Sequence, residues 1–151
     1  MPEKSYSNDF SVVVNASSVY NAITTEIDKW WTTETNTAAS NGDILTVGFG
    51  KPYFIAMQVE DIVPNKSLSW KVIDANMFIE ERGVKTNEWI GTTIHWSISE
   101  KKDGSQVSLF HEGLIPSFEC YNTCKNGWNY FLESLKDYLN TGKGRPHIQT
   151  N

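Results

Sequence analysis

This sequence contains few cysteines, few basic residues and no long apolar run. Each of these features excludes a class of protein. Only two of the 151 residues are cysteine, which is too few for the disulfide framework of a small secreted domain. No apolar run approaches 18 residues, and the polar first ten residues lack the apolar segment of a signal peptide. We therefore expect a reduced, cytoplasmic protein without stable membrane insertion.

Lysine and arginine number 13 against 18 aspartates and glutamates, so the formal net charge is −5. The basic residues form no stripe along the chain. A protein that binds nucleic acid needs such a stripe to neutralise phosphates. We accordingly expect no nucleic-acid partner.

Motifs of common catalytic chemistry are missing as well. The sequence has neither Gly-x-Ser-x-Gly nor His-Glu-x-x-His, which would mark a nucleophilic or a zinc-dependent hydrolase. The segment from Gly48 to Lys51 is too short for a phosphate-binding loop. We assign no catalytic residue and expect no cofactor.

Aromatic residues, by contrast, are abundant. Six tryptophans, six tyrosines and seven phenylalanines make up 13% of the chain, a composition that excludes disorder. The length fits one domain, and we expect residues 1–151 to form it, with a core at about residues 8–142 and a flexible tail at residues 143–151.

Hydrophobic periodicity predicts a strand, two short helices, a run of strands and one long helix. The first strand is expected at residues 10–15, and a helix then carries Val19, Tyr20, Ala22 and Ile23 behind the candidate N-caps of residues 15–17. A second short helix is expected at residues 26–31 and a loop at residues 32–42. Alternating strands are expected at residues 43–49, 53–63, 68–72, 89–99 and 106–114, whereas residues 76–87 fit either a ragged strand or a mobile loop.

The long helix is predicted from Pro116 onward. Its apolar residues recur at three- and four-residue spacing and form one stripe, namely Tyr121, Cys124, Trp128, Phe131, Leu132, Leu135, Tyr138 and Leu139. Gly142 and Gly144 end this helix, and Pro146 prevents it from resuming.

Strands followed by a segregated helix indicate an α+β fold with an antiparallel sheet covered on one face. A sheet of this length must twist and curl. Because a long helix rarely fills the concave side of a curled sheet completely, we expect a cavity between them that holds a ligand.

An ordered set of short segments carries a resemblance to a known family. The segments are residues 10–17 (Phe-x-Val-x-Val-Asn-Ala-Ser), 29–31 (Lys-Trp-Trp), 59–64 (Val-Glu-Asp-Ile-Val-Pro), 68–70 (Leu-Ser-Trp), 88–92 (Glu-Trp-Ile-Gly-Thr), 111–114 (His-Glu-Gly-Leu), 127–128 (Gly-Trp), 134–135 (Ser-Leu) and 138–142. Over about residues 8–146 the chain resembles the helix-grip superfamily, which is START-like and birch-pollen-allergen-like and is also called SRPBCC. Within it, the chain most resembles the family named after the activator of the heat-shock-protein-90 ATPase.

The resemblance implies a helix-grip fold and three functions. Members bind lipids, steroids or aromatic small molecules, and we take binding of a small hydrophobic, lipid-like molecule as the first hypothesis. Some members are cyclases or hydrolases, so a cavity enzyme of cyclase, dehydratase or hydrolase type is the alternative. A chaperone-linked interaction module is the second alternative. The eukaryotic co-chaperone has an additional N-terminal domain that we do not expect here, so we expect no chaperone partner.

Eight residues are candidates for the ligand-binding wall: Trp31, Met57, Trp70, Trp96, Leu109, His111, Trp128 and Phe131. The Trp30-Trp31 pair could line the mouth of the cavity or simply close the core. His111, on the inward face of its strand, could orient a polar ligand group, act as acid or base, or bond to backbone as a core histidine.

Cys120 and Cys124 lie four residues apart near the start of the long helix. Together with His111 they would supply three metal ligands, but a structural zinc site needs a fourth. We expect two small, buried or half-buried thiols and no metal.

Overall fold

A computed structural model describes residues 4–50, 52–79 and 84–148 of the chain. Within these residues the backbone forms eight β-strands, two α-helices and one 3₁₀ turn. In chain order they are β1 (Tyr6–Val12), α1 (Ala16–Thr24), the 3₁₀ turn (Ile27–Lys29), β2 (Glu34–Thr35), β3 (Ile44–Gly48), β4 (Phe54–Val63), β5 (Ser67–Ile79), β6 (Val84–Thr86), β7 (Thr93–Lys101), β8 (Gly104–Glu112) and α2 (Tyr121–Thr141).

One antiparallel sheet organises the molecule. Its strand order is β1, β8, β7, β5, β4, β3, β2, and the short β6 pairs with the end of β5. β1 comes first in the chain but pairs with the last strand, so that Tyr6 lies opposite His111. The expected α+β helix-grip architecture, an antiparallel sheet with a long C-terminal helix, is confirmed.

The face of the sheet that alternation predicts to be apolar is buried. Its buried side chains are Leu45, Val47, Ile55, Met57, Val59, Leu68, Trp70, Val72, Ile94, Trp96, Ile98, Val107, Leu109 and His111. α2 contributes the opposing layer through its predicted stripe, in which Trp128 and Leu135 are buried. The core therefore lies between α2 and one face of the sheet.

β1 begins earlier than the sequence predicts, whereas α1 begins within the predicted N-cap segment. β1 spans Tyr6–Val12 instead of residues 10–15, because pairing along β8 outweighs the β-propensity of the valines that follow. Val13 has already left the sheet, and its N–H donates to Asn140 Oδ1 of α2. Asn15 is the N-cap of α1, since its side chain accepts from the Ser18 N–H at 3.0 Å.

The second short helix is a single 3₁₀ turn, Ile27–Lys29, and the loop expected at residues 32–42 contains the two residues of β2. In the segment left open at residues 76–87, β5 continues to Ile79 and β6 follows, while residues 80–83 lie outside the described residues.

A turn at residues 88–91 replaces the predicted start of β7. Gly91 has φ +91°, a conformation that ends extended structure, and β7 begins only at Thr93. The Glu88 carboxylate in this turn accepts from the Glu119 and Cys120 N–H groups, both at 3.0 Å, just before α2. The turn therefore holds the N-terminus of α2.

α2 begins at Tyr121 rather than Pro116 and ends, as expected, at Gly142, which has φ +86°. Among the described residues, no helix has the length and apolar character needed to cross a membrane.

Residues 143–148, here called the C-terminal strap, lie in the segment predicted to be a flexible tail, yet they make specific contacts. The His147 N–H donates to Trp31 O at 2.8 Å, and His147 O accepts from the Thr33 N–H at 2.9 Å. The Arg145 N–H donates to Ser134 Oγ at 2.6 Å. Residues 149–151 lie outside the described part of the chain.

Candidate functional site

A half-open cavity of about 470 Å³ lies between the first half of α2 and the β3–β5 side of the sheet. Its wall combines residues from nearly the whole length of the chain. The lining residues are Trp31, Phe49, Tyr53, Ile55, Asn76, Met77, Trp89, Thr123, Cys124, Gly127, Trp128, Phe131 and His147. No Asp, Glu, Lys or Arg is among them, so the wall that the structure describes carries no fixed charge.

α2 supplies one side of the cavity through helical spacing. Cys124, Gly127, Trp128 and Phe131 are separated by three, one and three residues and therefore face the same direction. Gly127 lies in the middle of this row. A Cβ built at Gly127 would meet no heavy atom within 4 Å, so the missing side chain leaves open space in the wall.

Three indoles and two phenyl rings contribute most of the aromatic surface of the wall. The rings of Trp89 and Trp128 are stacked, with centroids 5.8 Å apart and planes 13° apart. Trp31 lies 5.1 Å from Trp128, and the phenyl rings of Phe49 and Phe131 are 6.2 Å apart on the far side. Rings of this kind offer large, rigid and apolar contact surfaces to a ligand.

Behind the indole wall lies a fully buried polar group, His111, with 0% exposure. Its Nδ1 accepts from the Trp128 indole N–H at 3.0 Å, and its Nε2 lies 2.8 Å from Thr92 Oγ1. Burial, with a smaller contribution from His95, lowers the pKa of His111 from 6.5 to about 3. The imidazole is therefore neutral at physiological pH.

The two cysteines are free and buried, as expected. The Trp89 indole N–H donates to Cys124 Sγ at 3.1 Å. A hydrogen bond with Cys120 and burial together raise the pKa of the Cys124 thiol, which makes it a poor nucleophile at neutral pH. Among the described residues no three His, Cys, Asp or Glu side chains are placed to hold a metal ion, and both nitrogens of His111 already have protein partners.

The structure brings three of the eight sequence-predicted residues to the cavity: Trp31, Trp128 and Phe131. The other five are at most 1% exposed and pack in the core without lining the cavity, namely Met57, Trp70, Trp96, Leu109 and His111. Their inward direction follows from strand alternation, but their position along the sheet places them beside the cavity rather than on it.

Several residues that line the cavity are not among the eight predicted from the sequence. Periodicity predicts Trp89 to lie in a strand, whereas it belongs to the turn before β7. Gly127 lies beside the apolar stripe, three residues after Cys124, and a glycine within a helical pattern is the signal that could have identified it. His147, in the strap, has no local periodicity that could have revealed it. Its ring lies 5.6 Å from that of Phe49, and its Nε2 is buried without a hydrogen-bond partner in the described structure.

Solved structures share this architecture. The solution structure of the Aha1 dimer from Colwellia psychrerythraea is 25% identical, with a TM-score of 0.75, over 95% of this chain and 100% of that chain. DynU16, from the dynemicin biosynthetic locus, is 19% identical with a TM-score of 0.70, over 98% of this chain and 52% of that chain. CalU16 from Micromonospora echinospora is 16% identical with a TM-score of 0.67, over 92% of this chain and 75% of that chain. The last two likenesses concern the fold alone.

Among curated proteins, none matches this chain at a significant level. The sequence profile of one family does match, over residues 14–140, and this family is described as activator of Hsp90 ATPase homolog 1-like protein. The match runs from the start of α1 to the last turn of α2 and so includes most of the cavity wall. The chain belongs to the activator of Hsp90 ATPase homolog 1-like family, within the SRPBCC helix-grip superfamily.

Proposed function

We propose that this protein binds a small, uncharged, ring-containing hydrophobic molecule in the cavity beneath α2. The observation that carries the proposal is the wall itself. It surrounds about 470 Å³ and includes three indole and two phenyl rings, with no carboxylate, ammonium or guanidinium among the described lining residues. Ligand cavities are about 300–1,000 Å³ and are mostly apolar, with few polar groups. Among the described lining residues, a carboxylate ligand would find no ammonium or guanidinium group to pair with.

Gly127 provides a second observation in favour of a ligand in the cavity. Glycine in a helix interior is about 0.8–1 kcal/mol less favourable than alanine. No neighbouring atom within 4 Å requires the small residue at this position. The lack of a side chain at Gly127 therefore adds volume to the cavity and is not required by the packing of α2.

The same wall favours binding over catalysis. His111, the histidine that the sequence suggests for acid–base chemistry, lies behind the wall with both nitrogens occupied. His147 does line the wall, but among the described residues its Nε2 has no hydrogen-bond partner that would orient it as a catalytic base. The Cys124 thiol has a raised pKa and is not an activated nucleophile. We infer a binding protein, acting in the cytoplasm, rather than a cyclase, dehydratase or hydrolase.

The proposal is tested with a neutral tricyclic probe, 1-aminoanthracene, whose fluorescence increases in apolar surroundings. We expect saturable one-to-one binding and quenching of tryptophan emission, because Trp31, Trp89 and Trp128 line the cavity. Gly127→Leu should weaken binding at least about tenfold, equivalent to about 1.4 kcal/mol, because its side chain occupies the ligand space.

The matched control for this test is Asn126→Leu, which adds a leucine at the neighbouring, exposed position of α2. It should leave the affinity unchanged. Native mass spectrometry of freshly purified protein would reveal a molecule that co-purifies with it. Equal affinity of the probe for wild-type and Gly127→Leu protein would refute this site.

A further inference from the structure

A chain of three hydrogen bonds joins the Trp128 indole to the backbone carbonyl of Trp89 through His111 and Thr92. The Trp128 indole N–H donates to His111 Nδ1 at 3.0 Å. His111 Nε2 and Thr92 Oγ1 are 2.8 Å apart, and the Thr92 hydroxyl donates to Trp89 O at 2.6 Å. The chain therefore runs from α2 through β8 to the turn at residues 88–91.

Only one proton arrangement satisfies all three bonds. An indole N–H can only donate, so His111 Nδ1 must be the acceptor. A backbone carbonyl can only accept, so the single hydroxyl proton of Thr92 goes to Trp89 O. His111 Nε2 must then carry the proton and donate it to Thr92 Oγ1. The partners thus fix His111 as the neutral imidazole with its proton on Nε2.

His111 also contacts both indoles edge-on. Its ring centroid is 4.4 Å from that of Trp89 at 84°, and 6.1 Å from that of Trp128 at 86°. The imidazole is completely buried and does not line the cavity. Any influence of His111 on a ligand must therefore pass through these two rings.

We propose that His111 is a positioning residue, which holds Trp89 and Trp128 parallel and thereby sets the preference of the cavity for rigid, flat ring systems. The inference rests on the proposed binding function. Trp89 belongs to a turn and lacks the ladder of hydrogen bonds that fixes a strand residue. Its indole N–H donates to Cys124 Sγ, and its ring packs against the edge of His111, so both contacts orient the ring. A tryptophan on a helix, such as Trp128, retains more than one staggered rotamer. A wall fixed before the ligand arrives avoids the ordering cost of binding.

Selectivity is the functional consequence. A flat ring gains from two parallel indoles only while they remain parallel, whereas a flexible chain adapts to either arrangement. Loss of the His111 hydrogen bonds should therefore weaken binding of rigid ligands more than binding of flexible ones. A general loss of stability would weaken both alike.

The experiment compares 9-anthracenemethanol with 1-dodecanol as competitors of bound 1-aminoanthracene. His111→Leu removes both hydrogen bonds of the imidazole, and His111→Asn retains an acceptor for the Trp128 indole. Thr92→Val breaks the two bonds of Thr92 Oγ1, to His111 Nε2 and to Trp89 O, and leaves the bond between Trp128 and His111 intact. We expect the affinity ratio of the rigid to the flexible alcohol to fall about tenfold in His111→Leu. It should fall less in each of the other two variants.

Leu109→Val is the matched control, because Leu109 is buried on the same face of β8 and does not line the cavity. It should lower stability and leave the affinity ratio unchanged. If His111→Leu does not fold, His111→Asn and Thr92→Val still decide the outcome against this control. An affinity ratio that follows stability alone in all variants overturns the positioning role.

Two spectroscopic measurements test the wall without any ligand. Nitrogen-15 spectra of the wild-type protein at pH 7 should show a neutral His111 protonated on Nε2; protonation on Nδ1 would overturn the inference. The Trp89–Trp128 pair should contribute to the exciton-coupled circular dichroism of the packed indoles, so we expect this signal to decrease in His111→Leu and to be retained in Leu109→Val. If these signals appear but no probe binds, the proposed function fails while the arrangement of the wall stands.

Discussion

At the residue scale, His111 is a fully buried imidazole whose hydrogen-bond partners come from other parts of the chain. Alternation along β8 predicts that its side chain points inward, and it does. The ligand contact expected of His111 depends on which atoms surround the imidazole. Those atoms belong to Thr92 and Trp128, which are distant in sequence and meet His111 only in the folded chain. Strand periodicity contains no information about such partners.

The buried imidazole predicts a pH dependence of stability. The pKa of His111 is about 3 in the folded protein and 6.5 in the unfolded chain. Between these values the unfolded chain binds the proton and the folded protein does not, so falling pH favours unfolding by up to about 1.4 kcal/mol per pH unit. The contribution is fully present above pH 6.5 and is lost progressively as the pH falls towards 3.

Urea unfolding at pH 7, 6, 5 and 4 measures this slope in wild-type and His111→Asn protein. Because carboxylates titrate in both proteins, the difference between the two slopes isolates the histidine. We expect the free energy of unfolding to fall less steeply with pH in His111→Asn. Parallel curves from pH 6 to 4 would contradict the lowered pKa.

At the scale of elements, the end of α2 was predictable and its beginning was not. A glycine after an apolar stripe is a local signal, and Gly142 adopts the left-handed conformation that this signal implies. At the other end, residues 116–120 continue the apolar spacing but stay outside the helix. The Glu88 carboxylate holds the N–H groups of Glu119 and Cys120, so a distant turn determines where the helix begins.

Two glycines of the α2 region should respond oppositely to alanine. At neither Gly127 nor Gly142 would a Cβ meet an atom within 4 Å, so packing does not distinguish them. Gly127 lies in the helix interior, where alanine should stabilise by about 0.5–1 kcal/mol. Gly142 has φ +86°, a conformation that costs an L-residue about 1–2 kcal/mol, so alanine there should destabilise.

Thermal unfolding of the two single variants measures both effects. An increase in the melting temperature for Gly127→Ala and a decrease for Gly142→Ala are expected. A decrease for Gly127→Ala would show that the apparent space at this position is occupied.

At the scale of the whole molecule, the inward faces of the strands were predictable, but the location of the cavity was not. Trp70 and Trp96 point inward as expected, yet they pack against each other with ring centroids 5.3 Å apart in the solid part of the core. The opening lies further towards β3 and the N-terminal half of α2. Its position depends on how α2 crosses the sheet, which side-chain periodicity does not specify.

The C-terminal strap gives a prediction at this scale. A Cβ at Gly144 would lie 2.5 Å from Lys29 O and 3.1 Å from Ser134 Oγ, so Gly144→Ala should displace the strap. His147 would then leave the cavity wall. We expect weaker binding of 1-aminoanthracene and faster hydrogen exchange at the Thr33 and His147 amides, whose bonds close the strap.

Gly142→Ala serves as the control for this variant, because residue 142 precedes the strap and makes no such close approach. It should lower stability without accelerating exchange at those two amides. Unchanged exchange in Gly144→Ala would show that the strap tolerates the added methyl group.

The pairing of β1 with β8 and of the strap with Trp31 has a consequence for synthesis on the ribosome. β1 finds its partner only when residues 105–111 have emerged, and Trp31 is enclosed only when His147 has emerged. Until then the nascent chain presents apolar strand faces without their covering helix, a state prone to aggregation. The wall of the proposed binding site is therefore complete only after His147 has emerged.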